Sequence, residues 1–190
     1  MKITFWGAAR NVTGSKHLVQ AGDYNLLLDC GFVQGRRKES NEQNRNLPFD
    51  AGKINAGVLS HAHLDHSGAL PTLVKGGFSG KIYCTKETAE IAKFILLDSA
   101  NIQEYDAQYL NKHLKKGEEE ILPIYTKEDV ERTLEHFEAV DYFSVSQKWI
   151  NLAPGMRFKF YEAGHILGSA SVLLEAKEDG KIKTLAFTGD

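Results

Sequence analysis

Apolar and polar positions alternate with a period of two at both ends of the chain and follow a period near 3.6 through its middle. Lys2 to Gly7 sets Ile3 and Phe5 on one face, which predicts a first strand. The runs 17–21 and 24–28, separated by Gly22-Asp23, predict a hairpin, and the second run closes on Asp29-Cys30-Gly31. Residues 32–52 are polar and read as a solvated loop. Ala56-Gly57-Val58-Leu59 has the continuous apolar character of a buried strand. Ser67 to Gly76 then carries Ala69, Leu70, Leu73 and Val74 at helical spacing, with Gly76-Gly77 as its stop. Lys81 to Cys84 reads as a short strand, and Thr85 as an N-cap with Glu87 in the first turn. Ile91, Ala92, Ile95, Leu96, Ile102, Tyr105 and Tyr109 mark a long helix, bent near Ser99 and ending around Gly117. A second helix starts at the capping signature Thr126-Lys127-Glu128-Asp129 and runs through Val130, Leu134 and Phe137. The last third returns to strands at 143–145, 149–152, 156–160, 171–175 and 182–187, the final pair joined by a turn at Glu178-Asp179-Gly180-Lys181. This mixed α/β order predicts a sheet sandwich flanked by helices.

Composition narrows the class. A length of 190 residues suits one domain with a substantial core. The formal net charge of −2 rules out a global basic field of the kind that announces a nucleic-acid binder, without excluding a local one. The only cysteines, Cys30 and Cys84, form no Cys-x-x-Cys pair, which argues against a disulfide scaffold or a zinc finger and for buried thiols in a reducing compartment. No apolar run approaches the roughly 20 residues of a membrane span, and no signal segment precedes the first strand. A cytoplasmic protein without a membrane partner is expected.

The chemistry is concentrated in His61-Ala62-His63-Leu64-Asp65-His66, directly after the buried apolar run. Residues two apart in an extended segment point the same way, so His61 and His63 can grip one ion, while Asp65 and His66 follow where the chain turns. Imidazole with carboxylate suits zinc, manganese or iron better than calcium, which prefers oxygen ligands throughout. Two distant signals support a shared site. His165 lies between glycines in Gly164-His165-Ile166-Leu167-Gly168-Ser169, and Asp190 closes the last apolar strand, as Asp29 closes an earlier one. The basic residues Arg36-Arg37-Lys38 read either as part of a solvated loop or as a rim touching an anionic substrate.

These motifs resemble the metallo-β-lactamase superfamily, whose signature is HxHxDH. Asp29, His165 and Asp190 stand where its first, third and fourth motifs are expected. The loop Gly7-Ala8-Ala9-Arg10-Asn11-Val12-Thr13-Gly14-Ser15, the segment Leu28-Asp29-Cys30-Gly31 and the His165 loop are similar to the β-CASP branch, the nucleases of messenger-RNA 3′-end processing and their prokaryotic relatives. The resemblance implies an αββα sandwich with two zinc ions, manganese being an alternative. His61, His63 and His165 would hold one ion, Asp65 and His66 the other, with Asp190 between them and Asp29 orienting the cluster from behind. Asp65, His63 and Asp190 would be the catalytic groups. Arg10, Arg36 and Arg37 would line the rim, and the substrate would be single-stranded RNA, hydrolysed by a metal-activated water.

The chain departs from that branch in stopping at Asp190. The expectation is therefore that residues 1–190 are the N-terminal part of a metallo-β-lactamase domain, truncated after the fourth metal motif. The inserted β-CASP domain and a later histidine of the second metal site would be absent. Such a piece would be weakly active at most and would expose an uncovered sheet face that invites self-association. Two other readings stay open: a superfamily hydrolase acting on a thioester, a lactam or a small phosphodiester, and a non-catalytic metal-binding domain.

Overall fold

The computed structural model describes residues 1–141 and 148–190. The strand expected at 143–145 lies outside the described residues, as does the side chain of Arg37. Six strands form one sheet in sequential order: β1 (Lys2–Phe5), β2 (His17–Ala21), β3 (Tyr24–Leu28), β4 (Ala56–Val58), β5 (Lys81–Thr85) and β6 (Phe137–Val140). The first three pair antiparallel, and β3 to β6 pair parallel. A second, wholly antiparallel sheet holds β7 (Ile150–Ala153), β8 (Met156–Glu162), β9 (Ala170–Glu178) and β10 (Lys181–Phe187) in the order β10-β9-β8-β7. The helices are α1 (Arg37–Arg45), α2 (Leu64–Ser67), α3 (Leu70–Lys75), α4 (Lys86–Asn111) and α5 (Lys127–Leu134).

The pleat sorts one strand's residues into two cores. Leu26 and Leu28 of β3 face the second sheet and meet a layer that includes Val58, Phe158, Val172 and Leu174. Leu27, between them, faces the helices and joins Ile82, Leu73, Ala92 and Leu96. A parallel strand covered on both faces has no solvated side, which is why β3 and β4 read as continuous apolar runs. β8 and β9 alternate instead, with Met156, Phe158 and Phe160 inward and Arg157, Lys159 and Tyr161 outward.

That outer face has no helix over it among the described residues. It is charged and aromatic in character: Arg157 and Lys159 lie over the Trp149 ring at 4.3 and 4.9 Å, and Arg157 pairs with Glu175 at 2.8 Å. Its most exposed large apolar residue is Ile182 on the edge strand β10, between Lys181 and Lys183. The β9–β10 turn places Asp179 and Gly180 at φ +50° and +74°, the Asp-Gly pattern of a tight hairpin matched to strand twist.

Several boundaries differ from the sequence expectation. The polar stretch 32–52 contains α1, which lacks a clear apolar stripe and is pinned by side-chain bonds. Asn44 accepts from Val33 N at 2.8 Å and donates to Val33 O at 3.0 Å, and Arg45 donates to the carbonyls of Leu122 and Pro123. The helix expected over 67–76 is divided into α2 and α3 at Gly68-Ala69. The long helix ends at Asn111, where the Asn111 amide bonds both backbone groups of Ile121, and Phe137 opens β6 rather than ending a helix. At about 1.5 Å per residue, 26 residues of α4 outrun the five-residue strand β5 before it. Ile102, Tyr105 and Tyr109, expected in its buried stripe, are each more than half exposed.

Candidate metal centre

The parallel strands β3 and β4 end side by side, and their carboxyl ends deliver the first half of the cluster. Asp29 follows β3 in the left-handed region at φ +57°, which short polar side chains tolerate better than most. Its turn is laced to the histidine loop by backbone bonds: Cys30 N to His66 O at 2.8 Å, Phe32 N to Leu64 O at 2.9 Å, and Ala69 N to Cys30 O at 2.8 Å. Ser15 N donates to Asp65 O at 2.9 Å from the other side. Gly31 lies so close to this loop that a Cβ there would sit 1.6 Å from the Asp65 carbonyl oxygen.

Hydrogen bonding fixes which nitrogen each buried imidazole offers. Asp29 is 2% exposed; its Oδ1 accepts from Ser60 N at 2.7 Å, and its Oδ2 accepts from Ser60 Oγ at 2.8 Å and His66 Nδ1 at 2.7 Å. Since the Ser60 proton goes to Asp29, Ser60 Oγ is left to accept from His61 Nδ1 at 3.0 Å. Both His61 and His66 thus turn Nε2 toward the site. Burial foremost, and then the neighbouring His66, push the His61 pKa down to about 4, against the pull of Asp29. His66 is shifted the other way, because its bond to Asp29 and the nearby Asp190 and Asp65 outweigh its burial.

The second sheet supplies the rest. His165 sits on the loop between β8 and β9, and that loop is tied to the start of α4. Thr85 Oγ1 and Thr88 Oγ1 both donate to Gly168 O, at 2.7 and 2.9 Å, and the same Thr85 oxygen caps Thr88 N at 3.1 Å. Gly168 takes φ +86°, and a Cβ there would lie 2.6 Å from Thr88 N. Ala170 N donates to Ser60 O at 2.9 Å, joining the two sheets directly beneath the cluster.

His63 Nδ1 lies 3.1 Å from both His61 Nε2 and His165 Nε2. With Asp190, these groups form a set whose ligand atoms all lie within 4.8 Å of one another. Three imidazole nitrogens so close cannot satisfy each other: His61 Nε2 is already without a proton, and His63 Nδ1 can donate only one. A cation bound to lone pairs resolves the crowding, and the nitrogen–nitrogen edge of a tetrahedral site is about 3.3 Å for metal–nitrogen bonds of about 2.0–2.1 Å. The residues present therefore fit a metal. Asp190 faces both sides: Oδ2 is 3.9 Å from His61 Nε2, and Oδ1 is 3.3 Å from His66 Nε2. Asp65 Oδ2 lies 3.9 Å from His66 Nε2.

The structure thus brings His61, His63, His165 and Asp190 together as one set, with His66 against Asp190, Asp65 next to His66 and Asp29 behind them. Arg10 is exposed on the early loop at φ +62°, and Arg36 is exposed at the N-cap of α1. No hydrogen bond or ion pair joins either side chain to the cluster among the described residues. Sequence reasoning missed Ser60, whose only signal is a polar residue caught between buried Leu59 and His61. It read Thr85 as a cap alone. It also passed over Lys16, a 2%-exposed residue whose amine donates to the Gly31 carbonyl and, at 3.5 Å, to Gly14 O. Its burial lowers its pKa, as expected for an ammonium with carbonyl partners and no carboxylate.

A family model described as the metallo-beta-lactamase superfamily domain matches residues 18–185. Ribonuclease TTHA0252 of Thermus thermophilus is 35% identical over 190 residues, and the transcription termination factor FttA of Methanocaldococcus jannaschii is 30% identical over 190 residues. Each comparison takes in the whole of this chain, which spans 38% and 27% of those relatives' lengths. Among solved structures, BJP-1, a subclass B3 metallo-beta-lactamase of Bradyrhizobium japonicum, superposes with a TM-score of 0.52 at 14% identity. That match covers 94% of this chain and 57% of BJP-1, and speaks to the fold alone.

Proposed function

The chain belongs to the metallo-beta-lactamase superfamily, and on that premise we propose that it is the metal-binding portion of a β-CASP-type ribonuclease that hydrolyses single-stranded RNA. The observation that carries this reading is the approach of His63 Nδ1 to within 3.1 Å of both His61 Nε2 and His165 Nε2, beside Asp190. The share of the relatives' length that the chain matches supports reading residues 1–190 as the N-terminal part of such a domain.

In this reading His61, His63 and His165 would hold one zinc ion, and Asp65, His66 and Asp190 would complete the donor set for a second, with manganese as an alternative metal. Divalent ions so held bring a water ligand close to deprotonation at neutral pH and offset charge on phosphoryl oxygens. The residues do the rest. Asp29 and Ser60 keep His61 and His66 in the tautomers that face the site. Asp65, whose side chain is partly open to solvent, accepts the proton of the attacking water. Attack at phosphorus would break the bond to the 3′-oxygen, which would take up a proton from solvent, leaving a 5′-phosphate and a 3′-hydroxyl. Arg10, Arg36 and Arg37 are rim groups for the phosphate backbone. Two buried free thiols and an RNA substrate go with a cytoplasmic setting, and no helix among the described residues is long and apolar enough to cross a membrane.

The test pairs metal analysis of the zinc-loaded chain with incubation of labelled single-stranded RNA, a small phosphodiester and a thioester. Metal uptake with RNA cleavage that disappears in Asp65→Asn supports the proposal. Turnover of the small substrates with intact RNA replaces it with another hydrolase of the superfamily. Uptake without any turnover leaves a metal-binding domain that does not catalyse.

A further inference from the structure

His17 is an expensive residue where it stands. It lies in β2 opposite Phe5 and Leu28, and its ring packs edge-on between Phe5 and Phe187, each at a centroid distance of 5.3 Å. A phenylalanine would fill that slot without a polar atom. Among the described residues His17 Nδ1 is buried without a hydrogen-bond partner, a cost that packing does not explain. What the imidazole adds is the other nitrogen, Nε2, which lies 3.2 Å from Ser15 Oγ.

Ser15 is itself 2% exposed, and its hydroxyl donates to Asp29 Oδ2 at 3.5 Å. With its proton turned toward the carboxylate, Ser15 Oγ accepts from His17 Nε2–H. The links therefore run in one direction: His17 Nε2–H to Ser15 Oγ–H to Asp29 Oδ2, the oxygen that also holds His66 Nδ1 at 2.7 Å. Burial lowers the pKa of His17, with Asp29 opposing and His66 assisting. The same ring rests on Phe187, three residues before Asp190 on β10. One side chain therefore touches both the hydrogen-bonded support of His66 and the strand that delivers Asp190.

We propose that His17 is a positioning residue of the metal centre, holding Asp29 through Ser15 while bracing the strand that carries Asp190. The proposal rests on the metal-binding reading of the cluster. Its test is zinc affinity by chelator competition, with the visible spectrum of the cobalt-substituted chain as a second readout. His17→Phe keeps the ring between Phe5 and Phe187 and removes the donor; His17→Gln returns an N–H near the position of Nε2. Ser15→Ala breaks the same chain without touching the ring. Outer-shell partners of metal ligands commonly contribute 10–100-fold in affinity, and this more distant link is expected at about tenfold.

The expected result is an equal loss in His17→Phe and Ser15→Ala, no further loss in the double variant, an altered cobalt spectrum in both, and recovery in His17→Gln. Wild-type affinity in Ser15→Ala and His17→Phe overturns the proposal while leaving the metal site intact. So does an equal loss in His17→Phe and His17→Gln. A wild-type chain that takes up neither zinc nor cobalt overturns the metal-binding reading itself, and this inference with it.

Discussion

The shared carbonyl of Gly168 predicts a specific failure of additivity. Thr85 and Thr88 are fully buried, and each spends its hydroxyl proton on that one oxygen, at 2.7 and 2.9 Å. Thr88→Val removes one bond of two, and the carbonyl keeps a partner. The expected cost is about 1 kcal/mol, or about 2–4 °C in melting temperature for a chain of this size. Thr85→Val removes the other bond and also the N-cap of α4, worth about 1 kcal/mol more. In the double variant the Gly168 carbonyl is buried with no partner, and its unmet desolvation adds about 1–3 kcal/mol. The sum is then about 4–6 kcal/mol instead of the about 3 kcal/mol that the single variants predict. Urea denaturation of the metal-free chain completes the double-mutant cycle. Additivity within about 0.5 kcal/mol would refute the shared acceptor. Because His165 is three residues before Gly168, zinc affinity should fall in parallel in all three variants. Unchanged affinity in the double variant would show that the clamp does not hold His165.

Asp29→Asn keeps the size and the left-handed backbone but loses the charge and half of the acceptor capacity toward Ser60 and His66; zinc affinity should fall about 10–100-fold with the fold retained, as read by chelator competition and circular dichroism. Gly31→Ala would place a Cβ 1.6 Å from the Asp65 carbonyl oxygen, against the Asp65–His66 peptide, and should cost more than about 3 kcal/mol in urea denaturation. Burial pushes the thiols of Cys30 and Cys84 up to about 12, so neither should react with a disulfide reagent at pH 8 until the chain is unfolded. The His61 pKa near 4 lies below its unfolded value of 6.5, so only the unfolded chain takes up this proton between those values. Metal-free stability should therefore drop as the pH falls through that window. His66, with its raised pKa, contributes stability below 6.5 that is lost as the pH rises through its folded value. An acid limb that is unaltered in His61→Asn would refute this assignment.

The cluster of candidate ligands was legible because four donors in six residues have no ordinary packing role, and because buried parallel strands announce themselves as unbroken apolar runs. The capping signature at Thr126 likewise became a capping box, with Thr126 Oγ1 accepting from Asp129 N and Asp129 accepting from Thr126 N. What escaped was long-range. α1 carries no clear apolar period, since Asn44 and Arg45 hold it through bonds to backbone 11 and about 78 residues away. Ile102, Tyr105 and Tyr109 have a helical period that any sequence analysis assigns to a core, but the sheet beneath them is too short to cover it. Ser15, Ser60 and the two threonines act through partners 14 to 83 residues distant, and no local pattern marks such pairs.

The cluster draws its donors from both sheets, with His61, His63 and His66 from one side and His165 and Asp190 from the other, and this makes it a gauge of the sandwich seam. An ion joining His63 to His165 closes a loop of about a hundred residues, so its retention depends on two layers staying in register. Substitutions at Phe158 or Val172, which touch no ligand but set how the sheets pack, should raise metal off-rates as well as lower stability. A chelator-release assay would then sort core variants by registry of the two layers, a property that thermal unfolding averages away.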